Sequence, residues 1–494
     1  MSITSGSSQG SSRREFLVHG AASLAGTALL AAFRRAEPPR PAAAQEPLPA
    51  SSFGRAKRCI FLFMFGGPSQ LDLFDPKPEL QRRHGKTIYL ERRVGDVRPS
   101  VLLGSRRRFA RYGQTGQWCS DALPEIAAHM DKLAVVKSLT TDSFAHGSAT
   151  LKMNSGEIRQ GFPSMGSWVT YGLGPAADAL PEYVVMHDPR GGPISGPANW
   201  SSGFLPAVHQ GTLFRSRGEP LLDLSPAAGS PRRGLPEAAR QAQLELLESL
   251  NAAHRRGREG RSELAARQAS YELAVQMQES AREAIDLDAE DEGTRRMYGL
   301  VDAPPARHAM SLGPQPFGRQ CLIARRLLER GVRFVQIYHG GGHQQQTWDA
   351  HHGVEENLAI HCPEIDRPIA GLLADLERTG LLEETLVVWG GEFGRQPVSQ
   401  AAGPFQTANP LGRDHNPRGF TMWLAGAGVR PGSYGETDEL GREAAVDAHP
   451  VRDLHATVLH LMGMEHRRLT YYYGGLERRL TGVQEAHPIA GILA

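Results

Sequence analysis

The chain has 494 residues, of which 40% are hydrophobic and 22% charged, so its length is ample for one large core or two smaller ones. Its 55 Lys and Arg residues stand against 53 Asp and Glu. A formal net charge of +2 gives no bulk electrostatic indication of nucleic-acid binding, and we expect none.

The first 44 residues are expected to form a signal peptide that resembles a twin-arginine export signal. Arg13 and Arg14 precede an apolar stretch rich in Ala and Gly, and "RPAAAQ" offers a cleavage point after Ala44. The stretch is too short and too rich in glycine for a stable transmembrane helix. A disordered basic tail and an uncleaved anchor are the alternatives. We therefore expect a periplasmic or extracellular protein that engages the twin-arginine export machinery and has no stable transmembrane segment in its mature chain.

After a linker over 45–56, short apolar runs alternate with helical patterns. Continuous apolar runs are typical of buried parallel strands, and they occur at 59–65, 132–139, 182–188, 332–341, 385–393 and 419–428. Amphipathic helical stripes are found at 317–331, 366–380 and 451–463. This alternation predicts an α/β domain over 57–480, built on a doubly wound, mostly parallel sheet and followed by a C-terminal tail over 481–494.

Residues 233–299 differ in composition, because they are dense in Ala, Glu, Arg, Gln and Leu. Leu244, Leu247 and Leu250 fall on one helical face. We interpret the segment as a helical insertion in the α/β body, either a lid over a site or a packed surface element.

Four cysteines are present, and they form no C-x-x-C motif. Cys59 lies in an apolar run and Cys321 in a helical pattern, which indicates buried thiols. A disulfide between Cys119 and Cys362 is an alternative in an exported protein.

The ends of the first two predicted strands carry polar residues. Asp72 follows the first strand, where a carboxylate is well placed to bind a cation, whereas Asp75 belongs to the turn "FDPKP". Ser143 and His146 follow the second strand at a predicted helix N-terminus, where free N–H groups face an oxyanion. Such a place suits a nucleophile, although residues of this kind also cap helices that have no chemical role.

The later strand ends carry "TWDAHHG", "GGEFGR" and "GRDHNPRGF". "TWDAHHG" by itself is either a metal site or a polar loop rich in histidine. Together the three motifs offer six candidate ligands: Asp349, His351, His352, Glu392, Asp414 and His415. Mixed carboxylates and imidazoles suit Zn, Mn or Fe. Arg395 and Arg413 are candidates for clamping a tetrahedral anion. No Walker A, H-E-x-x-H, G-x-S-x-G or early G-x-G-x-x-G motif is present.

The motifs "GGPSQLDLFDPKP", "GSWVTYGLG", "WDAHHG", "GGEFGRQP", "GRDHNPRGF" and "DLHATVLHLMG" carry a family resemblance. Their order resembles the alkaline phosphatase and sulfatase superfamily and, more closely, its exported sulfatase-like branch known as domain of unknown function 1501. The resemblance implies an alkaline phosphatase-like fold and one or two divalent metals (Zn, Mn, Fe or Ca). It also matches metal ligands to Asp72, Asp349, His351, Glu392 and His415, and it leaves the nucleophile position open between Ser143 and His146. The alternative role for His146 is that of a metal ligand or general acid.

Several positions depart from the superfamily pattern. The chain lacks C-x-P-x-R, so it is not expected to be a formylglycine sulfatase, and Phe393 stands where a second-metal histidine is expected. The D-x-H spacing makes His352 compete with His351 as a ligand. We expect an exported, metal-dependent hydrolase of phosphate, sulfate or related esters, acting on a small-molecule or polysaccharide substrate. The alternatives are a non-catalytic exported binding protein for sulfated polysaccharide or a cell-surface assembly, and a phospho-group transferase or mutase.

Overall fold

A computed structural model describes residues 48–93, 96–174, 176–177, 180–216, 237–256, 282–342, 344–399 and 411–494. The expected signal peptide lies outside the described residues, as does part of the expected helical insertion. No helix within the described ranges is long and apolar enough to cross a membrane.

Nineteen strands are present in the described part of the chain. In chain order they are β1 (Arg58–Met64), β2 (Thr87–Arg93), β3 (Asp96–Leu102), β4 (Phe109–Tyr112), β5 (Gln117–Ser120), β6 (Leu133–Thr140), β7 (Tyr183–Met186), β8 (Thr212–Phe214), β9 (Phe334–His339), β10 (Thr385–Gly390), β11 (Gly394–Ser399), β12 (Arg413–Asn416), β13 (Phe420–Gly426), β14 (Gly432–Tyr434), β15 (Glu436–Thr437), β16 (Ala444–Val446), β17 (His449–Pro450), β18 (Tyr471–Tyr473) and β19 (Leu476–Arg478).

The α-helices of the same residues vary in length from four to 25 residues. They span Gln70–Leu73, Pro78–Arg82, Pro124–Ala127, His146–Ser155, Met165–Leu173, Glu237–Arg255, Glu292–Met297, Gln315–Glu329, Val354–Arg378 and Val451–Leu461. The helix predicted at 366–380 begins earlier than expected, at Val354. Pro363 lies inside the helix instead of marking a boundary before it, as a proline in a helix interior usually does.

The central sheet has nine strands, with β17 joining β6 beside the order β14-β6-β13-β10-β1-β9-β7-β8. All neighbours pair in parallel except β13, which runs antiparallel to both β10 and β6. A strand overlaps each of the six predicted apolar runs, and β1 and β6 extend one residue beyond theirs. The expectation of an α/β fold with a mostly parallel sheet is therefore confirmed.

The sheet is covered on both faces, which explains why its strands are continuous apolar runs. In β1, Ile60 and Leu62 pack into one hydrophobic cluster, whereas Phe61 and Phe63 pack into a second cluster on the opposite face. Residues beyond 480 belong to this packing, since Ile492 is buried in the second cluster.

The described parts of the helical insertion differ in burial. Leu247 and Leu250 on the helix Glu237–Arg255 are 53% and 58% exposed. In contrast, Leu287 and Tyr298 from its C-terminal part pack into the first cluster.

All four cysteines are buried free thiols. The alternative of a disulfide between Cys119 and Cys362 is therefore wrong for this structure. Both thiols instead belong to the first hydrophobic cluster, among apolar side chains.

A smaller four-stranded sheet, in the order β12-β11-β3-β2, lies beside the carboxyl ends of the central strands. Its strand β11 follows β10 after the short connection that carries Glu392, and β12 carries His415. The small sheet thus delivers residues to the edge at which parallel strands end.

Candidate metal centre

Four of the predicted site residues converge at this edge. His146 is the first residue of the helix that follows β6, His415 lies on β12, and Asp349 and His351 lie between β9 and the helix Val354–Arg378. One ligand atom from each of the four lies within 4.8 Å of the others. We call this group the His146–His415 cluster. Asp349 and His351 are the residues of "TWDAHHG" that belong to it.

The turn after β1 holds "TWDAHHG" in place. The backbone N–H of Trp348 donates to the carbonyl oxygen of Phe65 at 2.9 Å. Gly66 has φ +115°, and a Cβ atom there would lie 2.5 Å from the nitrogen of Trp348 and 2.6 Å from that of Asp349. Only glycine allows the two turns to approach this closely, so Gly66 is part of the site.

Asp349 is the centre of the cluster. Its Oδ1 lies 3.1 Å from Nε2 of His415 and 3.1 Å from Nε2 of His351, while Oδ2 lies 3.2 Å from Nε2 of His146. Burial opposes the charge of this carboxylate. However, the Arg395 guanidinium and the neighbouring histidines outweigh burial and hold the pKa of Asp349 well below its usual range. Asp349 is therefore ionised.

Glu392 lies behind His146 and is fully buried. Its carboxylate accepts the N–H of Gly66 at 3.0 and 3.2 Å and lies 2.5 Å from Nδ1 of His146. With the proton on Nδ1, the other ring nitrogen of His146 faces the cluster. Glu392, predicted as a ligand, thus orients a ligand instead of joining the four-residue group.

A backbone carbonyl orients His415. Its Nδ1 lies 2.6 Å from the carbonyl oxygen of Phe144, so Nε2 faces Asp349. The ring of Phe393 lies 4.3 Å from the His415 ring and 4.9 Å from the His146 ring, measured between centroids. Phe393 therefore packs an apolar ring against both imidazoles.

The two oriented histidines differ in charge. Burial disfavours the imidazolium of His146, but the neighbouring carboxylates of Asp349 and Glu392 outweigh it and raise the pKa of His146 to about 9. Burial, together with the positive charges of Arg395 and His146, lowers the pKa of His415 to about 4. At pH 7 and without a metal, His146 is thus protonated and His415 neutral.

The donor set fits a transition metal. Three imidazoles and one carboxylate match the number and kind of ligands in tetrahedral zinc sites. The Nε2 atom of His146 is buried and has no partner in hydrogen-bonding geometry among the described residues, although Asp349 lies 3.2 Å away. This nitrogen can coordinate an ion once the ion displaces its proton.

Asp72 and Arg413 lie elsewhere, and the structure pairs them with each other. Both are fully buried, and Nε and Nη2 of Arg413 donate to the two Asp72 oxygens at 2.8 and 3.1 Å. Nη1 of Arg413 donates to the carbonyl oxygen of Leu103 at 2.8 Å. Asp72 was predicted as a metal ligand and Arg413 as an anion clamp, whereas in the structure each charge compensates the other.

The Arg395 guanidinium is likewise bound to buried partners within the protein. Its Nε donates to the carbonyl oxygen of Gly67 at 2.9 Å, and its Nη2 donates to Asp349 Oδ1 at 2.7 Å. The side chain is fully buried and contacts Asp349 instead of facing an open anion site. Arg395 acts on the cluster by keeping Asp349 charged.

Three further predicted site residues lie outside the His146–His415 cluster. Asp414 lies 3.9 Å from His351 Nδ1 and accepts the N–H of His415 at 2.8 Å. His352 is not one of the four clustered ligands, and its backbone carbonyl accepts a bond from Gln345 at 2.5 Å. The Ser143 hydroxyl lies 2.5 Å from that of Ser148, and it is not bonded to a member of the cluster in the described part of the chain.

A second buried group was not predicted from the sequence. It joins His339 at the end of β9 to His361 and Glu364 on the helix Val354–Arg378. Trp348 Nε1 donates to His339 Nδ1 at 3.0 Å, and His339 Nε2 lies 2.9 Å from Glu364. Because the Trp348 N–H occupies the Nδ1 lone pair, Nε2 carries the proton that Glu364 accepts. This His339–Glu364 network is therefore satisfied by hydrogen bonds, and its sequence signal is only the i, i+3 spacing of His361 and Glu364.

Comparisons with known proteins identify the family. The chain matches over residues 56–493 the model of the family described as "Protein of unknown function (DUF1501)". No curated protein matches the chain.

Among solved structures, the lipoteichoic acid synthase LtaP from Listeria monocytogenes is 11% identical, with 89% of this chain and 78% of that chain covered and a TM-score of 0.33. The PsFucS1 sulfatase from Pseudoalteromonas sp. is 13% identical, with 89% of this chain and 72% of that chain covered and a TM-score of 0.34. A protein in the alkaline phosphatase superfamily from Vibrio parahaemolyticus is 8% identical, with 85% of this chain and 70% of that chain covered and a TM-score of 0.37.

Proposed function

The chain belongs to the DUF1501 family, and we propose that this member is an exported, metal-dependent hydrolase of phosphate, sulfate or related esters. The observation that carries the proposal is the convergence of His146, Asp349, His351 and His415 on one point at the carboxyl edge of the sheet. Ligands at such an edge face solvent on one side, where a substrate can approach. All four side chains are intermediate in burial, which agrees with an accessible site.

These residues have separable roles in the proposed reaction. A divalent ion held by the four ligands would supply Lewis-acid polarisation of the ester oxygen. Glu392 holds the Nδ1 proton of His146 and thereby keeps Nε2 directed at the cluster. Arg395 keeps Asp349 ionised, and Phe393 shields His415 from water on one ring face.

Export supports the choice of substrates. The paired Arg13 and Arg14 suggest the twin-arginine route, which carries folded proteins and so allows the metal to be loaded before export. We propose a periplasmic or extracellular location, where small-molecule or polysaccharide esters would be the substrates.

A non-catalytic binding protein is the second candidate, and specific contacts favour it. Arg413 and Arg395 are bound to buried protein partners, and the Ser143 hydroxyl is bonded to Ser148. The expected anion clamps and nucleophile are therefore not poised at the cluster. A transferase or mutase would use the same cluster and would differ from the hydrolase in its products.

The test is the metal content of protein prepared without chelators, measured by inductively coupled plasma mass spectrometry. We expect about one transition-metal ion per native chain and its loss in Asp349→Ala, because Asp349 contacts the three clustered histidines. His352→Ala is the matched control, since it removes a neighbouring histidine that is not in the cluster, and it should keep the ion.

Circular dichroism shows whether each variant is folded, and His415→Gln serves as a second ligand variant. Native protein without stoichiometric metal would contradict the proposal, and so would equal loss in His352→Ala. A panel of aryl phosphates, sulfates and phosphonates then separates the hydrolase from the binding protein by turnover of the metal-loaded chain.

A further inference from the structure

The loop between β9 and the helix Val354–Arg378 supplies two of the four clustered ligands, Asp349 and His351. In the described part of this loop, the short 3-10 turn Gln344–Gln346 is the only regular element. Loops open locally at a lower free energy than the strands and helices beside them. The positions of these two ligands therefore depend on the contacts that hold the loop against the core.

The His339–Glu364 network holds the loop through Trp348, which directly precedes Asp349 and is 1% exposed. Nε1 of Trp348 donates to Nδ1 of His339 at 3.0 Å, and the indole ring lies 5.1 Å from the His361 ring, measured between centroids. Glu364 lies 2.9 Å from Nε2 of His339 and keeps the proton there, which leaves Nδ1 free to accept. The tautomer of a buried histidine thus fixes the residue before Asp349.

Buried charges anchor the network itself. Nη2 of Arg190 donates to Glu364 at 2.8 Å and to Asp188 at 2.7 Å, and both carboxylates are buried. Asp188 also accepts the backbone N–H of Gly340, at the start of the loop, at 2.9 Å. Removing one member of such a buried set would leave an uncompensated charge, so the set resists rearrangement.

A second line of contacts reaches the end of the loop through Gln345. Two residues one turn apart on the helix bind it, because Asn357 donates to its Oε1 at 2.8 Å and Nε2 of His361 lies 3.0 Å from its carbonyl oxygen. Nε2 of Gln345 in turn donates to the carbonyl oxygen of His352 at 2.5 Å. The backbone directly after His351 is therefore held by the same helix.

We propose that the His339–Glu364 network, together with Asn357, is a positioning device for the metal ligands Asp349 and His351. Its residues act through the loop backbone, since neither His339 nor Glu364 belongs to the His146–His415 cluster. The network is not a second metal site, because Trp348 and Arg190 already occupy the ligand atoms that an ion would need. Its effect on metal binding rests on the proposed function, whereas its hold on the loop does not.

Trp348→Phe tests the hold on the loop, because it keeps an aromatic ring and removes the N–H that His339 accepts. In full-length, metal-depleted protein, we expect the amides of residues 345–353 to exchange with deuterium roughly fivefold faster, as measured by mass spectrometry. Tyr298→Phe is the matched control, since it also removes one buried donor to a group on the same helix, Asp375. Its exchange over 345–353 should be that of the native protein.

The affinity for Zn²⁺, measured by competition with a chromophoric chelator, tests the effect on the ligands. We expect Trp348→Phe to bind Zn²⁺ about tenfold more weakly, the lower end of the range for residues that support metal ligands. Tyr298→Phe should bind it as the native protein does. Urea denaturation records the loss of global stability in both variants, so weakening confined to Trp348→Phe identifies positioning instead of general destabilisation.

Native exchange over 345–353 in Trp348→Phe would overturn the proposal, and so would equal acceleration in Tyr298→Phe. Native Zn²⁺ affinity in a Trp348→Phe protein whose loop exchanges faster would also overturn it. Asn357→Ala is the second variant if Trp348→Phe does not fold, because it removes the bonds to Gln345 and Thr347 and should loosen the same residues. Native protein that binds no Zn²⁺ would contradict the proposed function, while the exchange rates still decide whether the network holds the loop.

Discussion

At the scale of single residues, the site depends on how its buried charges are compensated. Asp349 faces His146, His351, His415 and Arg395, so one carboxylate serves four basic groups. An ion bound by the histidines would add positive charge beside the same carboxylate, and Arg395 already ensures that the carboxylate is ionised. The neighbouring buried carboxylate, Asp72, has its own cation and is therefore independent of the cluster.

Asp72→Ala tests this independence. The substitution leaves the Arg413 guanidinium buried without its carboxylate, and breaking one side of a buried pair costs about 3–5 kcal/mol. We expect the free energy of unfolding, measured by urea denaturation, to fall by that amount. The metal content of the folded protein should stay at the native level.

Glu79→Ala is the comparison for an ion pair near the surface, since its partner Arg82 is 75% exposed. Its loss of stability should be clearly smaller than that of Asp72→Ala, because exposed pairs contribute little. A folded Asp72→Ala protein that has lost its metal would instead identify Asp72 as a ligand.

At the scale of elements, the helix Val354–Arg378 joins the site to the core. Near its start, Asn357 donates to the carbonyl oxygen of Thr347 at 2.8 Å and so supports the "TWDAHHG" turn. Further along, Asp366 accepts the N–H groups of Glu125 and Ile126 at 2.9 and 2.7 Å, which caps the short helix Pro124–Ala127. One long helix therefore positions both a site turn and a distant helix end.

The Asp366 carboxyl makes this contact dependent on pH. Burial raises the pKa of Asp366 to about 7, although the two backbone hydrogen bonds oppose the shift. The folded state thus holds the proton more tightly than the unfolded chain, where the group titrates near 3.8. Its contribution to stability is fully present below about pH 4 and is lost as the pH rises through 7.

Asp366→Asn removes this titration while keeping one oxygen as acceptor. We expect the free energy of unfolding of the native protein, relative to that of Asp366→Asn, to decrease from pH 5 to pH 8. Urea denaturation at several pH values measures it. A difference that is constant over this range would refute the raised pKa.

At the scale of the whole molecule, two hydrophobic clusters cover the opposite faces of the central sheet. Cys59 lies in the second cluster, while Cys119, Cys321 and Cys362 lie in the first. Burial raises the pKa of all four thiols, that of Cys119 to about 12. The thiols therefore report on the opening of both cores.

We expect the native protein to react slowly with a thiol reagent such as dithionitrobenzoate, because the reactive thiolate is suppressed at all four positions. In guanidinium chloride without reductant, four thiols per chain should react. Prior reduction is the control and should not change this count. A count of two before reduction and four after it would reveal a disulfide.

The sequence by itself determined the features that depend on local pattern. Continuous apolar runs located the strands of the central sheet, because a strand buried on both faces carries apolar residues on both. The motifs identified the family, and they placed Asp349, His351 and His415 in the candidate site. His146 was recognised as one of two candidates for the nucleophile position and, alternatively, as a metal ligand or general acid.

Only the tertiary structure decided how the charged groups pair. Asp72 and Arg413 are 341 residues apart, and nothing in either local pattern distinguishes a metal-binding carboxylate from one that compensates an arginine. The same holds for Glu392, which contacts His146 from a different strand end, and for the choice of His351 over His352. The physical reason is that a buried charge is stabilised by whichever opposite charge the folded chain brings within a few ångströms, and that neighbour is set by the order of strands in the sheets.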